Sequence, residues 1–292
     1  MAAAPKKVFL DYTQEELDRA YDQRNWAPNA EALIELSRVM SAETRKRLRF
    51  KSHNYGASPD ETLDIFPTDV TNAPVAIFIH GGSWRFGTKE GSSFVADTFV
   101  PAGVHCVVLN FDNIPEARIP YMAEKIRRGV VWTYKNAASF GGDPGRLHVL
   151  GHSSGGHLCS VMLTTDWTKY GVPARLFESG LVGSGMYDLE APMLSARSHY
   201  AKVTQEEEHA LSAMRHLDLV HCPIIIAYGD KESPEFQRQG RDFAAALKQA
   251  GLAHELHIGL GLNHFEVMHS ISEPNGFFRT LALRLVGATV PA

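Results

Sequence analysis

Gly151-His152-Ser153-Ser154-Gly155 is a Gly-x-Ser-x-Gly pentapeptide. A strand-like run, Arg146–Leu150, precedes it and a helical pattern follows. That context gives the motif its chemical meaning. A serine hydroxyl can attack a carbonyl when a sharp strand-to-helix turn holds its Oγ clear of the sheet edge. Glycines at both ends let neighbouring backbone approach without a Cβ clash. A helix that begins at the next residue points its amide-rich end at developing negative charge. The plain alternative is a Gly-rich turn with solvated serines. Position and context favour Ser153 as a nucleophile. Ser154 falls one place off the motif, and suits a backbone N–H donor.

The rest of such a machine has candidates. His80-Gly81-Gly82-Ser83-Trp84 follows the apolar run Val75–Ile79 directly. A His-Gly-Gly loop in that place can turn N–H groups toward an oxyanion. Gly82 and Ser83, with Ser154, are the expected donors, and Gly81 is the near alternative. His80 reads as a brace for the loop rather than a base. The expected order of a triad on this pattern is Ser, then Asp or Glu, then His. His264 lies in the Gly-rich stretch Gly259–Glu266, after the last strand-like run. It alone among 14 histidines fits both the position and the loop. His152 and His157 read as packing residues. His254 and His257 face opposite ways on a strand and do not suit a shared metal. For the acid, three carboxylates compete in Gly229–Phe236: Asp230, Glu232 and Glu235, the last at a helix start. Acyl transfer by these parts needs no metal and no organic cofactor.

These residues need a scaffold. Six runs read as buried strands: Val75–Ile79, His105–Asn110, Arg146–Leu150, Glu178–Gly183, Pro223–Tyr228 and His254–Ile258. Helical patterns separate most of them, at Ile119–Phe140, Gly155–Thr165 and Pro234–Ala250, and Asn275–Leu285 ends the series. Alternation of this kind predicts an α/β protein, a mostly parallel sheet with helices on both faces. Arg47–Asn54 and Thr62–Pro67 read as earlier strands. A capping box at Thr13–Glu16 starts a helix to about Tyr21, and a second helix spans Ala30–Leu48. We expect one domain over 1–292, with 1–46 as a helical cap over the site. The polar stretch 187–219 reads as a surface insertion near it. Trp26, Trp84, Phe111 and Tyr187 could bind substrate in the pocket, against a plainer role in packing. Arg127-Arg128 and Glu206–Glu208 read as solvated helix faces.

The chain has 292 residues, 44% hydrophobic and 21% charged, with net charge −4. That balance carries no footprint for nucleic acid or an anionic membrane. No apolar stretch reaches transmembrane length, and the N-terminal run Met1–Leu10 is too short for a signal peptide. Cys106, Cys159 and Cys222 read as reduced core thiols. A cytoplasmic enzyme with a small-molecule substrate is the expectation, and a homodimer stays open.

His80–Trp84, Gly151–Leu158, Ser184–Glu190, Gly229–Phe236 and Asn263–Glu266 together resemble the arylformamidase (kynurenine formamidase)-like branch of the α/β-hydrolases. Tyr12–Gln23 and Trp26–Asn29 look like the same branch, so the resemblance covers nearly the whole chain. It implies the α/β-hydrolase fold. It implies hydrolysis of N-formylkynurenine to kynurenine and formate, or of aryl and short-chain esters, through an acyl-enzyme on Ser153. Relatives of this fold mostly carry the acid third after the glycine, which here is Glu232. One segment departs from the pattern. Many relatives read Asp-Tyr-x-Leu-x-Pro-Glu where this chain has Asn110-Phe-Asp-Asn-Ile-Pro-Glu116. A short-chain or aryl esterase without a kynurenine role is the alternative. A non-catalytic binding protein of the same fold is the remote one, since every catalytic part has a candidate. A lipase would want an apolar lid, and 187–219 is too polar for one.

Overall fold

The computed structural model describes residues 6–288. Met1–Pro5 of the N-terminal segment and 289–292 lie outside the described residues.

Apolar residues run through successive positions of the central strands, so both faces must be covered. Eight strands result: β1 Lys51–Asn54, β2 Thr62–Phe66, β3 Ala73–Ile79, β4 His105–Leu109, β5 Gly142–His152, β6 Ser179–Gly183, β7 Ile224–Gly229 and β8 His254–Gly259. They form one sheet in the order β1-β2-β4-β3-β5-β6-β7-β8. The pairs β1–β2 and β2–β4 are antiparallel, and every later pairing is parallel. Side chains alternate between two cores. Val75, Ile77 and Ile79 enter one, with helices Ile119–Asn136, Ser154–Leu163 and Pro234–Gln249. Ala76 and Phe78 enter the other, with Phe99 and helix Phe277–Leu285. Burying a Leu, Ile or Phe side chain contributes about 1.5–3 kcal/mol each.

The strands end almost level. Ile79 pairs with Gly151, His152 with Gly183, and Gly229 with Gly259. The loops after β3, β5, β6, β7 and β8 therefore share one rim at the carboxyl edge. Parallel α/β sheets bind ligands at that edge.

The first helix, Gln14–Ala20, starts with a reciprocal cap: Thr13 Oγ1 accepts from Glu16 N–H, and Glu16 Oε2 accepts from Thr13 N–H at 2.7 Å. The second spans Ala30–Arg47. Two polar stretches differ from their sequence reading. The segment 187–219 lies only partly at the surface: Tyr187, Leu189, Ala191, Leu211 and Ala213 are buried in the larger core, whereas Leu194, Lys202, Glu206 and His209 are exposed. Its polar residues satisfy one another, as Arg215 does with Asp188 at 3.0 Å and Glu208 at 2.8 Å. Glu208 is thereby a buried ion-pair partner rather than a solvated residue. Likewise, Arg128 pairs with buried Glu61.

Candidate active site

Ser153 sits between β5 and helix Ser154–Leu163, with φ 60° and ψ −127°. That conformation is strained for any residue with a Cβ. Its surroundings hold it there. Ser153 N–H donates to Gly183 O at 2.9 Å, and His157 N–H donates to Ser153 O at 3.0 Å. A Cβ on Gly155 would strike the backbone of Ile79 and His80. The elbow therefore packs directly on the end of β3, which only glycine permits. All ten residues of the following helix are buried, so its N-terminus points into the fold rather than into solvent.

His264 reaches Ser153 from the opposite side. Its Nε2 lies 2.9 Å from Ser153 Oγ, and its Nδ1 lies 2.8 Å from Glu232 Oε2. The other Glu232 oxygen accepts from Ser184 Oγ at 2.6 Å and Gly229 N–H at 2.7 Å. All three side chains are buried. His264 is the first residue of its own short helix, His264–His269, rather than part of a loop. Asn263 caps that helix and is capped in return by Glu266. The competing carboxylates go elsewhere. Asp230 Oδ1 accepts from Gly261 N–H at 2.7 Å, tying the β7 loop to the β8 loop. Glu235 is fully buried and bonded to Tyr21 and Arg238.

Gly82, Ser83 and Trp84 have successive φ values of 121°, 56° and 61°. This turns the loop tightly over the elbow, and a Cβ on Gly82 would strike Phe86 O. Trp84 fixes its position: its backbone N–H donates to Ser154 Oγ at 3.2 Å and its indole to His157 Nδ1 at 3.1 Å. The N–H groups of Gly81, Gly82, Ser83 and Ser154 donate to no protein acceptor among the described residues. His80 stacks on Phe111 at 4.2 Å, and its Nδ1 lies 2.9 Å from Gly81 O.

A cavity of about 630 Å³ opens over Ser153, His152 and His264. That volume suits a small aryl or acyl substrate. Its apolar lining includes Leu33, Ile34, Phe86, Phe94, Phe265 and Met268. The expected aromatic set does not line it. Trp84, Phe111 and Tyr187 are 1%, 2% and 0% exposed. Trp84 anchors the loop, Phe111 supports His80, and Tyr187 stacks on Phe243 at 4.4 Å. Each is more valuable as a brace than as a wall, because its polar edge or ring face is already used. Trp26 borders a separate depression with Tyr12 and Arg238. The true lining lies on helix Ala30–Arg47 and on flanks of the two motifs, where the sequence offers only ordinary apolar residues.

Several histidines of the fold are buried. Burial pushes His80, His148 and His157 down to about 4, and holds His152 well below the usual range. Well above pH 7 these rings are uncharged, folded or unfolded. Below about 6.5 the unfolded chain takes up protons that the folded chain refuses. Stability is therefore lost as pH falls from about 6.5 toward 4, by roughly 3 kcal/mol for each ring held near 4. Urea midpoints between pH 7.5 and 4.5 should fall steadily through this window. A flat profile would contradict the burial of these rings.

Sheet order, strained elbow and shared rim define the class: a serine hydrolase of the α/β-hydrolase type. Residues 63–179 match the BD-FAE family and residues 130–278 the Prolyl oligopeptidase family. The chain is 30% identical to a kynurenine formamidase of Salmo salar, over 96% of this chain and 98% of that protein. A kynurenine formamidase of Danio rerio is 28% identical over 94% of this chain and 97% of its own length. A candidate thioesterase of Silicibacter sp. TM1040 superposes with a TM-score of 0.81 at 21% identity, covering 94% of this chain and 99% of that one. The chain belongs to the kynurenine formamidase-like family of α/β-hydrolases, and it is a serine hydrolase of small esters or amides.

Proposed function

We propose that Ser153, His264 and Glu232 form the catalytic triad of a small-acyl amide and ester hydrolase. The observation that carries this is the single imidazole that joins Ser153 Oγ to Glu232 Oε2. His264 takes the Ser153 proton, and Ser153 Oγ attacks the carbonyl carbon. The N–H groups of Gly82, Ser83 and Ser154 receive the oxyanion. His264 then protonates the leaving amine or alcohol, and water releases the acid from the acyl-enzyme. Formamides are the favoured amides, because the full-length relatives are kynurenine formamidases. The test is kcat/KM for N-formylkynurenine beside p-nitrophenyl acetate and butyrate. A preference for formylkynurenine by orders of magnitude supports the formamidase reading. Preference for the esters, with formylkynurenine barely turned over, replaces it by an esterase.

We extend the proposal to the segment before Arg47 as a cap over the site. Leu33, Ile34 and Arg38 border the cavity. Gln23 Nε2 donates to Ser233 Oγ at 2.7 Å, beside the acid. Asn263 Nδ2 donates to Asn29 Oδ1 at 2.8 Å, beside the base. Removing these residues should change the preference among ester chain lengths or prevent folding. Unchanged kinetics in the truncated enzyme would refute the cap. A cytoplasmic setting fits the three unpaired thiols, of which burial pushes Cys222 up to about 12. No helix among the described residues is long and apolar enough to cross a membrane. The open edge of β8, with Leu256 and Ile258 exposed, allows a homodimer, which sedimentation equilibrium reads directly.

A further inference from the structure

Arg197 is a buried cation without a counter-ion among the described residues. It is 8% exposed and borders the same cavity as Ser153 and His264. Its Nε and Nη2 donate to the Tyr21 carbonyl at 3.0 and 2.7 Å, and its Nη1 donates to the Tyr200 hydroxyl at 3.2 Å. Both acceptors are neutral. A guanidinium stays charged inside a protein and carries five N–H donors. Three are used here, and two have no acceptor among the described residues. The other arginines at the cavity have acids of their own: Arg24 has Glu31 at 2.6 Å and Arg38 has Glu35 at 3.1 Å. Asp22 also borders the cavity, but it is exposed and caps Arg24 N–H at 3.1 Å.

Leaving a buried charge uncompensated is costly. The rings of Trp84 and Phe236 lie 5.6 and 6.0 Å from the guanidinium, which offsets part of the cost. The chain also secures the segment that carries Arg197. Ala196 N–H donates to Asp18 Oδ1 at 2.6 Å, and Gln14 Nε2 donates to Leu194 O at 2.9 Å. A fork held in place, facing a cavity and short of one negative charge, matches a carboxylate in geometry and sign.

We propose that Arg197 receives a carboxylate of the substrate, so that the site selects esters and amides that bear an acid group. This rests on the reading of Ser153 as the nucleophile. The leftover donors form the second arm of a two-point grip: the acyl carbonyl at the oxyanion loop, the acid at Arg197.

The test compares phenyl acetate with 3-acetoxybenzoate and monophenyl succinate, which carry the acid on the leaving-group and acyl sides. The wild type should prefer an anionic ester, and Arg197→Met should lower the anionic-to-neutral ratio of kcat/KM about 10–100-fold, chiefly through KM. Arg197→Gln keeps a donor for the Tyr21 carbonyl and covers a failure of the methionine variant to fold. A ratio unchanged in a folded variant overturns the proposal, and so does a wild type with no anionic preference. Benzoate gives a readout without turnover. It should raise the Tm of Ser153→Ala and leave that of Ser153→Ala/Arg197→Gln unmoved. Equal shifts in the two overturn the anion site. A wild type inactive on all three esters and on N-formylkynurenine refutes the nucleophile instead, and the benzoate shift then decides Arg197 alone.

Discussion

Ser153→Ala should lose about 10⁴–10⁶-fold in kcat while keeping its fold and Tm. The hydroxyl at 2.9 Å from His264 is the group removed, and it makes no other hydrogen bond among the described residues. The bonds that hold the elbow run through the backbone of Ser153, to Gly183 O and from His157 N–H, and alanine retains both. Alanine also retains the strain, because φ 60° and ψ −127° penalise any Cβ. Ser153→Gly separates the two effects. It should be equally inactive and more stable, because strain of about 1–3 kcal/mol is relieved against roughly 1 kcal/mol of added chain entropy. Hydrolysis of p-nitrophenyl acetate and a thermal melt measure both. Full activity in either variant would move the nucleophile elsewhere. A glycine variant that melts well below the wild type would contradict the strained elbow.

Glu232→Gln should cost about 10³–10⁴-fold in kcat, and Asp230→Asn no more than a few-fold. The carboxylate accepts from His264 Nδ1, so the neutral ring keeps its Nε2 lone pair aimed at Ser153. A glutamine amide can donate to Nδ1 instead, which places the ring proton on Nε2. His264 then has no lone pair for the serine proton. The Ser184 hydroxyl and Gly229 N–H remain to orient the new side chain, so the loss is in chemistry rather than packing. Asparagine at 230 still offers an oxygen to Gly261 N–H. The two variants assayed together decide between the carboxylates. Equal losses would implicate the loop as a whole, and the reverse order would transfer the acid to Asp230.

Much of this molecule is legible in local sequence. Strand and helix runs imply the layered sheet, because a strand buried on both faces must be apolar at successive positions. Val75–Ile79 and His105–Leu109 show that directly. Gly-x-Ser-x-Gly and His-Gly-Gly are legible because backbone geometry there excludes side chains, and glycine is a local requirement. Other features depend on distant partners. Asp230, Glu232 and Glu235 are three carboxylates within six residues, and only the approach of His264 from a separate helix shows that it meets Glu232. Trp84, Phe111 and Tyr187 have the composition of a binding site but serve as braces, since each meets a partner that periodicity does not reveal. Within 187–219, Glu208 and Arg197 are buried because they meet Arg215 and the Tyr21 carbonyl.

Short-range sterics and periodicity encode the class of sheet, the two glycine-dependent turns and the order of the reactive residues, so these are legible without a structure. Only the folded arrangement shows which carboxylate meets His264, which aromatics the cavity sees, and that Arg197 borders the cavity with no counter-ion among the described residues. Glu232 and His264 are 32 residues apart in sequence and Arg197 and Tyr21 are 176 apart, and no local pattern encodes such contacts.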